Sequence, residues 1–353
     1  MNKKGVVASQ LSFIFIIIAG ALILTLLIKF AFTYKIISET RINIMVSSKI
    51  KAAIQSFGTS EESKTRIQTA NAVIHNSCDG IKILGSSSLK MNIFSTPELK
   101  PELGELFLFT KKLNVPFYLT NVIVLIEPET RIFVVGNTNS GVGSDLIDAF
   151  PLELGVEERE LDEFDNVVRE ANKLENKVLI IVIDDGSEEF RNVKNEIKEI
   201  DVRNTDIHLY IVKEIKPGFG QVIFYKVDKN KFLQDKKPRF YFDNLIVGAV
   251  TSTNEIYSCN LDRTLEQLLM SIDVYVKRYE LLSQSGSLNN NCKQATNKLI
   301  NELNRIRGNV EELVEKLKED KATKDDFEKA YDSLMKLEEY NNELIYMSCP
   351  EIY

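Results

Sequence analysis

Hydrophobic and polar positions divide the chain into three regimes. Residues 5–28, GVVASQLSFIFIIIAGALILTLLI, contain no charged side chain and lie between Lys3-Lys4 and Lys29. A soluble core helix rarely stays apolar all round for so long. At about 1.5 Å per residue a helix over 11–32 spans roughly 33 Å, a little more than the roughly 30 Å hydrocarbon layer, and Lys29 can reach back to the headgroups. The pattern predicts a basic leader over 1–10 and a transmembrane helix over 11–32. Ile36, Ile37, Met45, Val46, Ile50 and Ile54 then recur at mostly helical intervals until Gly58-Thr59-Ser60, which predicts a stalk helix over 33–57. Ala19-Gly20-Ala21 has the small-x-small form of a signal-peptide cut, but cutting there leaves LILTLLIKF, still in need of a membrane.

The second regime is mixed. RIQTANAVIH, GIKIL, LKMNIF, PFYLTNVIVLIE and RIFVVG are β-branched or aromatic runs separated by turn formers, and read as strands. Glu127-Pro128-Glu129-Thr130 is a turn signal that should make 122–126 and 132–135 antiparallel neighbours. From 157 helix and strand alternate: an amphipathic helix over 161–174, the apolar run VLIIVI at 178–183, a helix over 188–200 and a strand over 207–212. Such alternation predicts parallel neighbours covered by helices. Runs 221–227 and 241–250 are read as further strands, and 66–258 as one mixed α/β domain.

The third regime is helical. Leu265, Leu268, Ile272, Tyr275, Tyr279 and Leu282, and then Leu299, Leu303, Ile306, Val310, Leu313 and Leu317, follow alternating three- and four-residue steps, the spacing of heptad seams. Phe327, Tyr331, Leu334, Leu337 and Leu344 mark a third helix, opened by a Thr323/Asp326 capping box. Three antiparallel helices over 260–283, 291–318 and 323–346 are expected within 259–353. The fold class is therefore α+β, a mixed α/β sheet domain between an N-terminal transmembrane and stalk helix and a C-terminal three-helix segment. The helices form either a cap on the α/β domain or a coiled-coil surface for a partner or a second copy.

Four cysteines carry a geometric prediction. Cys292 and Cys349 lie nearly equal distances from the turn near Asp320-Lys321, so an antiparallel hairpin brings them to one end. Cys259 sits roughly 35 Å away across its helix, beyond the roughly 7 Å Cα limit for a disulfide. Cys292 with Cys349 is the expected pair, and Cys78 with Cys259 follows by elimination. No Cys-x-x-Cys occurs, so zinc is not expected. Cysteine pairs with only two histidines fit an oxidising compartment.

Charge narrows the partners. The chain carries −7; residues 1–32 carry three lysines and no acids, leaving −10 on the remainder, a surface that repels phosphate backbones and argues against nucleic-acid binding. No catalytic constellation emerges: His75 and His208 lie far apart in separate strands, and no cofactor is implied. Gly136-Asn137-Thr138-Asn139-Ser140-Gly141-Val142-Gly143 follows a strand as phosphate loops do, but it lacks the Gly-Lys-Ser/Thr that grips phosphate and reads as a surface loop.

Three resemblances add expectations. Lys3-Lys4-Gly5 ahead of an apolar helix resembles the class III, type IV prepilin-like leaders of archaeal surface proteins, which implies cleavage after Gly5; Gln10 stands where pilins favour Glu. FIFIIIAGALIL followed by a cysteine-containing β-rich stretch resembles a set of uncharacterised archaeal single-pass membrane proteins. Asp184-Asp185-Gly186-Ser187 resembles the strand-ending segment of inverting GT-A glycosyltransferases, which implies that Asp184 and Asp185 help hold a nucleotide-sugar. That family begins with this strand, whereas β structure precedes it here. The other reading is a helix cap by Asp185, answered by Glu188. If Asp184 and Asp185 line a pocket with a third carboxylate the enzyme reading gains; if they only cap a helix it loses.

The expectation is a single-pass protein in the lipid bilayer, N-terminus cytoplasmic and bulk extracytoplasmic, with a structural or interaction role at the cell surface. A pilin-like filament subunit and a tethered glycosyltransferase-like enzyme are the alternatives. A homo-oligomer or protein partner would engage the C-terminal helices. Replacing Ile18 by Arg should abolish stable insertion, because a central charge costs about 2.5–3.5 kcal/mol on insertion scales. Carbonate extraction checks this: the native chain stays with the membrane and the variant washes off.

Overall fold

The strand VLIIVI has no polar side to turn towards water, so both of its faces must be covered. The computed structural model describes residues 3–57, 62–69, 73–83, 92–96, 98–100, 104–139, 141–235, 237–284 and 288–351, with backbone alone for 3–17, 43, 54, 83 and 98. The elements, in chain order, are α1 (Lys3–Phe57), β1 (Lys64–Gln68), β2 (Ile74–Ser77), β3 (Gly80–Ile83), β4 (Ile93–Phe94), β5 (Glu98–Leu99), β6 (Glu105–Asn114), β7 (Tyr118–Ile126) and β8 (Arg131–Val135). They continue with α2 (Val142–Ala149), β9 (Val156–Arg159), α3 (Phe164–Ala171), β10 (Val178–Ile183), α4 (Glu188–Glu199), β11 (Ile207–Lys216), β12 (Phe219–Asp228), β13 (Lys231–Gln234) and β14 (Arg239–Phe242). Four helices close the chain: α5 (Leu245–Thr251), α6 (Asn254–Gln284), α7 (Asn290–Lys318) and α8 (Lys324–Tyr346).

The largest sheet runs β13-β12-β11-β10-β8-β9, with β14 also on β12. Its four strands β9, β8, β10 and β11 are parallel, and β12 adds an antiparallel hairpin. VLIIVI is its central strand β10, in register with β8 on one side and β11 on the other. Val178, Ile180 and Val182 pack with α3 and α4 through Phe164, Val168, Phe190 and Val193. Leu179, Ile181 and Ile183 face the other way, into a core shared with α5, the second sheet and the C-terminal helices.

That second sheet, β1-β6-β7-β4, presents Phe107, Phe109, Val122 and Val124 to the same core. Its outer face, through Leu106, Leu108, Ile123 and Leu125, packs against Val46 and Ile50 of α1 and against Ile74 and Ile81 of the small β3-β2-β5 sheet. The helix α1 is one unbroken element. Over its 18–57 part it is long and apolar enough to cross a membrane, and its most apolar stretch is not buried. Its apolar residues between Ile18 and Met45 stand exposed, and burial begins at Val46.

Three expectations are corrected. Segments 122–126 and 132–135 do not pair: β7 lies between β6 and β4, whereas β8 lies between β9 and β10. The turn at Glu127 forms, with the Thr130 N–H donating to the Glu127 carbonyl at 3.0 Å, but it carries the chain from one sheet to the other. A strand as apolar as β8 is better served between two parallel neighbours than in a hairpin. The run 241–250 is not a strand. It ends as one at Phe242, Asp243 turns with φ 44°, and 245–251 is a helix whose every residue is buried. A short run apolar on every side gives no period to choose by. RIQTANAVIH splits into β1 and β2, in different sheets. The break at Gly58-Thr59-Ser60 and the start of LKMNIF lie outside the described residues.

The C-terminal helices are antiparallel, as Lys318–Glu266 (2.7 Å) and Arg307–Asp273 (2.7 Å) between α7 and α6, and Lys329–Glu312 (2.8 Å) between α8 and α7, show by their register. α6 starts earlier than expected, so Cys259 lies inside it. These helices are not a separate bundle. The ring of Phe327 sits 4.8 Å from that of Phe240, that of Tyr331 sits 5.3 Å from that of Phe219, and the Tyr331 hydroxyl donates to the Pro217 carbonyl at 2.6 Å. Aromatic burial therefore fastens α8 to the edge of the large sheet.

Candidate functional site

The chain visits the parallel strands in the order β8, β9, β10, β11 but lays them down as β9-β8-β10-β11, so it leaves β8 to one side and returns to the other. Open α/β sheets bind ligands at such a switch, beyond the carboxyl ends of the strands. A cavity of about 400 Å³ lies there, lined by Asn137, Asn139, Glu160, Asp162, Asp185 and Glu189 among others.

The Asp184–Ser187 loop is built by local hydrogen bonds. The Asp184 Oδ1 accepts the Gly186 N–H at 3.1 Å and the Asp185 Oδ1 accepts the Ser187 N–H at 2.9 Å, around Gly186 at φ 76°. Ser187, not Asp185, caps α4 by accepting the Phe190 N–H at 3.1 Å. Asp184 turns instead to Lys213 at 3.5 Å, and only Asp185 of the two lines the cavity. Asp185 thus shares a cleft with three other carboxylates, Glu160, Asp162 and Glu189, without its neighbour. Among the described residues no group of three or more His, Cys, Asp or Glu is placed to hold a metal ion. The acid lining also disfavours a phosphate.

The upstream loop uses its glycines for packing. A Cβ on Gly143 would stand 2.1 Å from the Asn137 carbonyl oxygen, and Gly136 adopts φ 122° against Ile183. Ser140 lies outside the described residues.

The two histidines are not brought together. His75 is exposed on β2. His208 is at the opposite, amino-terminal edge of the parallel strands, its ring stacked on Phe224 at 5.7 Å and its Nδ1 buried without a hydrogen bond. Lys177 and Glu127, joined at 2.6 Å, share a cavity with it. Burial, with the nearby charges of Lys177 and Arg239, pushes His208 down to about 4.

Arg239 escapes sequence reasoning, because a lone cation within RFYF looks like a surface residue. It is 4% exposed. Its Nε donates to Asn254 Oδ1 and its Nη1 to the Ala249 and Ser252 carbonyls, while the guanidinium lies 4.9 Å from the Phe224 ring centre. Asn254 relays to the Asp235 carboxylate. The arginine thereby ties β14 to the junction of α5 and α6 through Nε and Nη1, while its Nη2 is buried without a hydrogen-bond partner. Beside it a cavity of about 720 Å³ runs between β14, the start of α6 and the α7–α8 turn, with Phe240, Tyr257, Leu261 and Phe327 in its walls.

Cysteines form two pairs at disulfide distance. Cys78 and Cys259 have Cα atoms 5.5 Å apart, as do Cys292 and Cys349. Both lie within the usual bridging range. The first joins the β2–β3 turn to α6 and the second closes the end of the α7–α8 hairpin. With sequence separations of 181 and 57 they close loops worth about 5 and about 4 kcal/mol in the chain-entropy model.

No protein-family model matches the chain, and neither curated proteins nor solved structures show significant similarity to it.

His208 generates a pH dependence of known sign. Its folded value of about 4 lies below the ordinary 6.5, so between those values the unfolded chain binds a proton that the folded chain refuses. Stability contributed by the neutral ring is full above pH 6.5 and falls by about 3 kcal/mol towards pH 4. Urea midpoints of the detergent-solubilised chain, compared with His208→Gln at both ends of that window, should show a smaller acid loss in the variant.

Proposed function

We propose that this is a membrane-anchored, extracytoplasmic structural or interaction protein of the cell surface, with its N-terminus in the cytoplasm. The observation that carries the reading is the junction between an unburied apolar helix and a domain with two cysteine pairs at disulfide distance. A helix apolar on all sides needs lipid, and such pairs persist where the compartment is oxidising. The junction is firm: Val46 and Ile50 are buried under the outer sheet, and the Asn121 side chain donates to the Phe57 carbonyl at 2.7 Å. The same helix would place the domain at a set height above the bilayer.

The C-terminal helices supply the interaction surface in this reading. Met270, Val274 and Leu281 stand exposed along α6 at steps of four and seven residues, a stripe suited to a second copy or a partner helix. A filament subunit with a cleaved leader would have the same anchor, and the Gln10 departure weighs against it. The glycosyltransferase-like alternative draws support from the Asp185 cleft alone, since Asp184 is committed to Lys213.

Protease shaving of intact cells tests anchor and side together. The expected outcome is release of fragments from residues 62–351 while a small N-terminal piece stays with the membrane. A domain fully protected until the cells are lysed would refute the orientation.

A further inference from the structure

A smaller cavity of about 330 Å³ opens beyond the carboxyl end of β11, between α2 and the β14–α5 turn, and is independent of the Asp185 cleft. Its charged lining comprises Glu62, Lys111, Asp145, Asp148, Glu214 and Asp243. The cation in it is already engaged, because the Lys111 Nζ sits 3.0 Å from Glu62 and 3.0 Å from the Asp148 carbonyl oxygen. Cations on the adjoining strand are engaged as well: Lys213 with Asp184, and Lys216 with Glu328 and Asp332. Asp145, Glu214 and Asp243 thus face the cavity with no ion pair among the described residues.

A second observation is independent of the carboxylates. Tyr241 is 2% exposed and forms part of the cavity wall, and its hydroxyl is buried without a hydrogen-bond partner. Leaving such a group unpaired costs about 1–3 kcal/mol unless something else meets it. The hydroxyl rests on bare backbone, since a Cβ on Gly220 would stand 2.3 Å from it. Glu214 and Asp145 act on the phenol and, with burial as the larger cause, push its proton affinity up. Burial, aided by Asp145, likewise pushes the Asp243 carboxyl above its ordinary range, against hydrogen bonds from the Asn114 and Asn244 backbone. Negative charge is therefore concentrated here, where an arriving cation would relieve it. The first turn of α2 offsets part of it, with Gly141 near the Glu214 carboxylate.

We infer that this cavity binds a small organic ammonium cation, held by Asp145, Glu214 and Asp243, with an ammonium N–H donated to the Tyr241 hydroxyl. A bare metal ion fits less well. Calcium or magnesium needs its oxygens within about 2.0–2.6 Å of one point, and the described residues offer no such group. An amine reaches spaced carboxylates through separate N–H bonds and brings an organic body to fill the volume.

The test is calorimetric titration of the full chain in lipid nanodiscs with 1,4-diaminobutane, with 1,4-butanediol as the uncharged control and calcium chloride as the competing ion. The diamine should bind and the diol should not. Tyr241→Phe should weaken binding roughly fivefold or more, with an unchanged or higher melting temperature because an unpaired hydroxyl is removed. Asp243→Asn, which keeps the acceptor for Asn114 and suits a positive φ, should weaken it at least as much. No heat from the diamine up to about 10 mM, an affinity unchanged in both folded variants, or displacement by calcium at tenfold lower concentration would each overturn the inference.

Discussion

The rest of the molecule depends on the two-sided burial of β10. A strand of six apolar residues, all buried, leaves neither face for water, so one face must carry helices and the other must meet a second layer. α3 and α4 cover the first face. On the second, the short helix α5 lies between the large sheet and the β1-β6-β7-β4 sheet, so closely that a Cβ on Gly248 would stand 2.5 Å from the Phe94 ring. Once that core exists, the C-terminal helices have an aromatic edge to dock on, and the outer face of the second sheet has to be covered in turn. The end of α1 covers it.

This nesting has a consequence for where chemistry can occur. Strand interiors are filled by packing, so polar groups collect at strand ends. At the carboxyl ends they are mostly acidic, Asp185 with Glu160 at the switch between β8 and its neighbours, and Glu214 with Asp243 beside α2. At the amino ends the Lys177–Glu127 pair links the two sheets, with His208 beside it. Lys177 and Glu127 are paired there and His208 is pushed towards its neutral form, as expected of groups that serve stability.

Much of the fold was legible in the residues. Heptad steps gave α6, apart from its start, and α7; apolar spacing with a capping box gave α8, the all-apolar run gave β10, and a charge-free stretch gave the membrane-length helix. Strand pairing was not legible, because the turn at Glu127 looks the same whether it closes a hairpin or passes between sheets. Nor was α5, where an unbroken apolar run carries no period. The switch-point cleft was visible only as Asp184-Asp185-Gly186-Ser187, and the sequence does not say that one aspartate turns to Lys213 while the other faces the cleft. Arg239 and Tyr241 could not be picked out. Their roles come from burial created by residues distant in the chain, and local pattern carries no record of that.

The central claim is that a membrane-tethered domain lies in an oxidising compartment, and the cysteines report on it directly. Intact cells would be treated with a membrane-permeant thiol-blocking reagent before lysis, and the chain then digested and mapped without reduction. The expected result is two linked peptide pairs, Cys78 with Cys259 and Cys292 with Cys349, and no blocked thiol. Four blocked cysteines would place the domain on the reducing side, and a Cys259–Cys292 peptide would contradict the antiparallel helical layout itself.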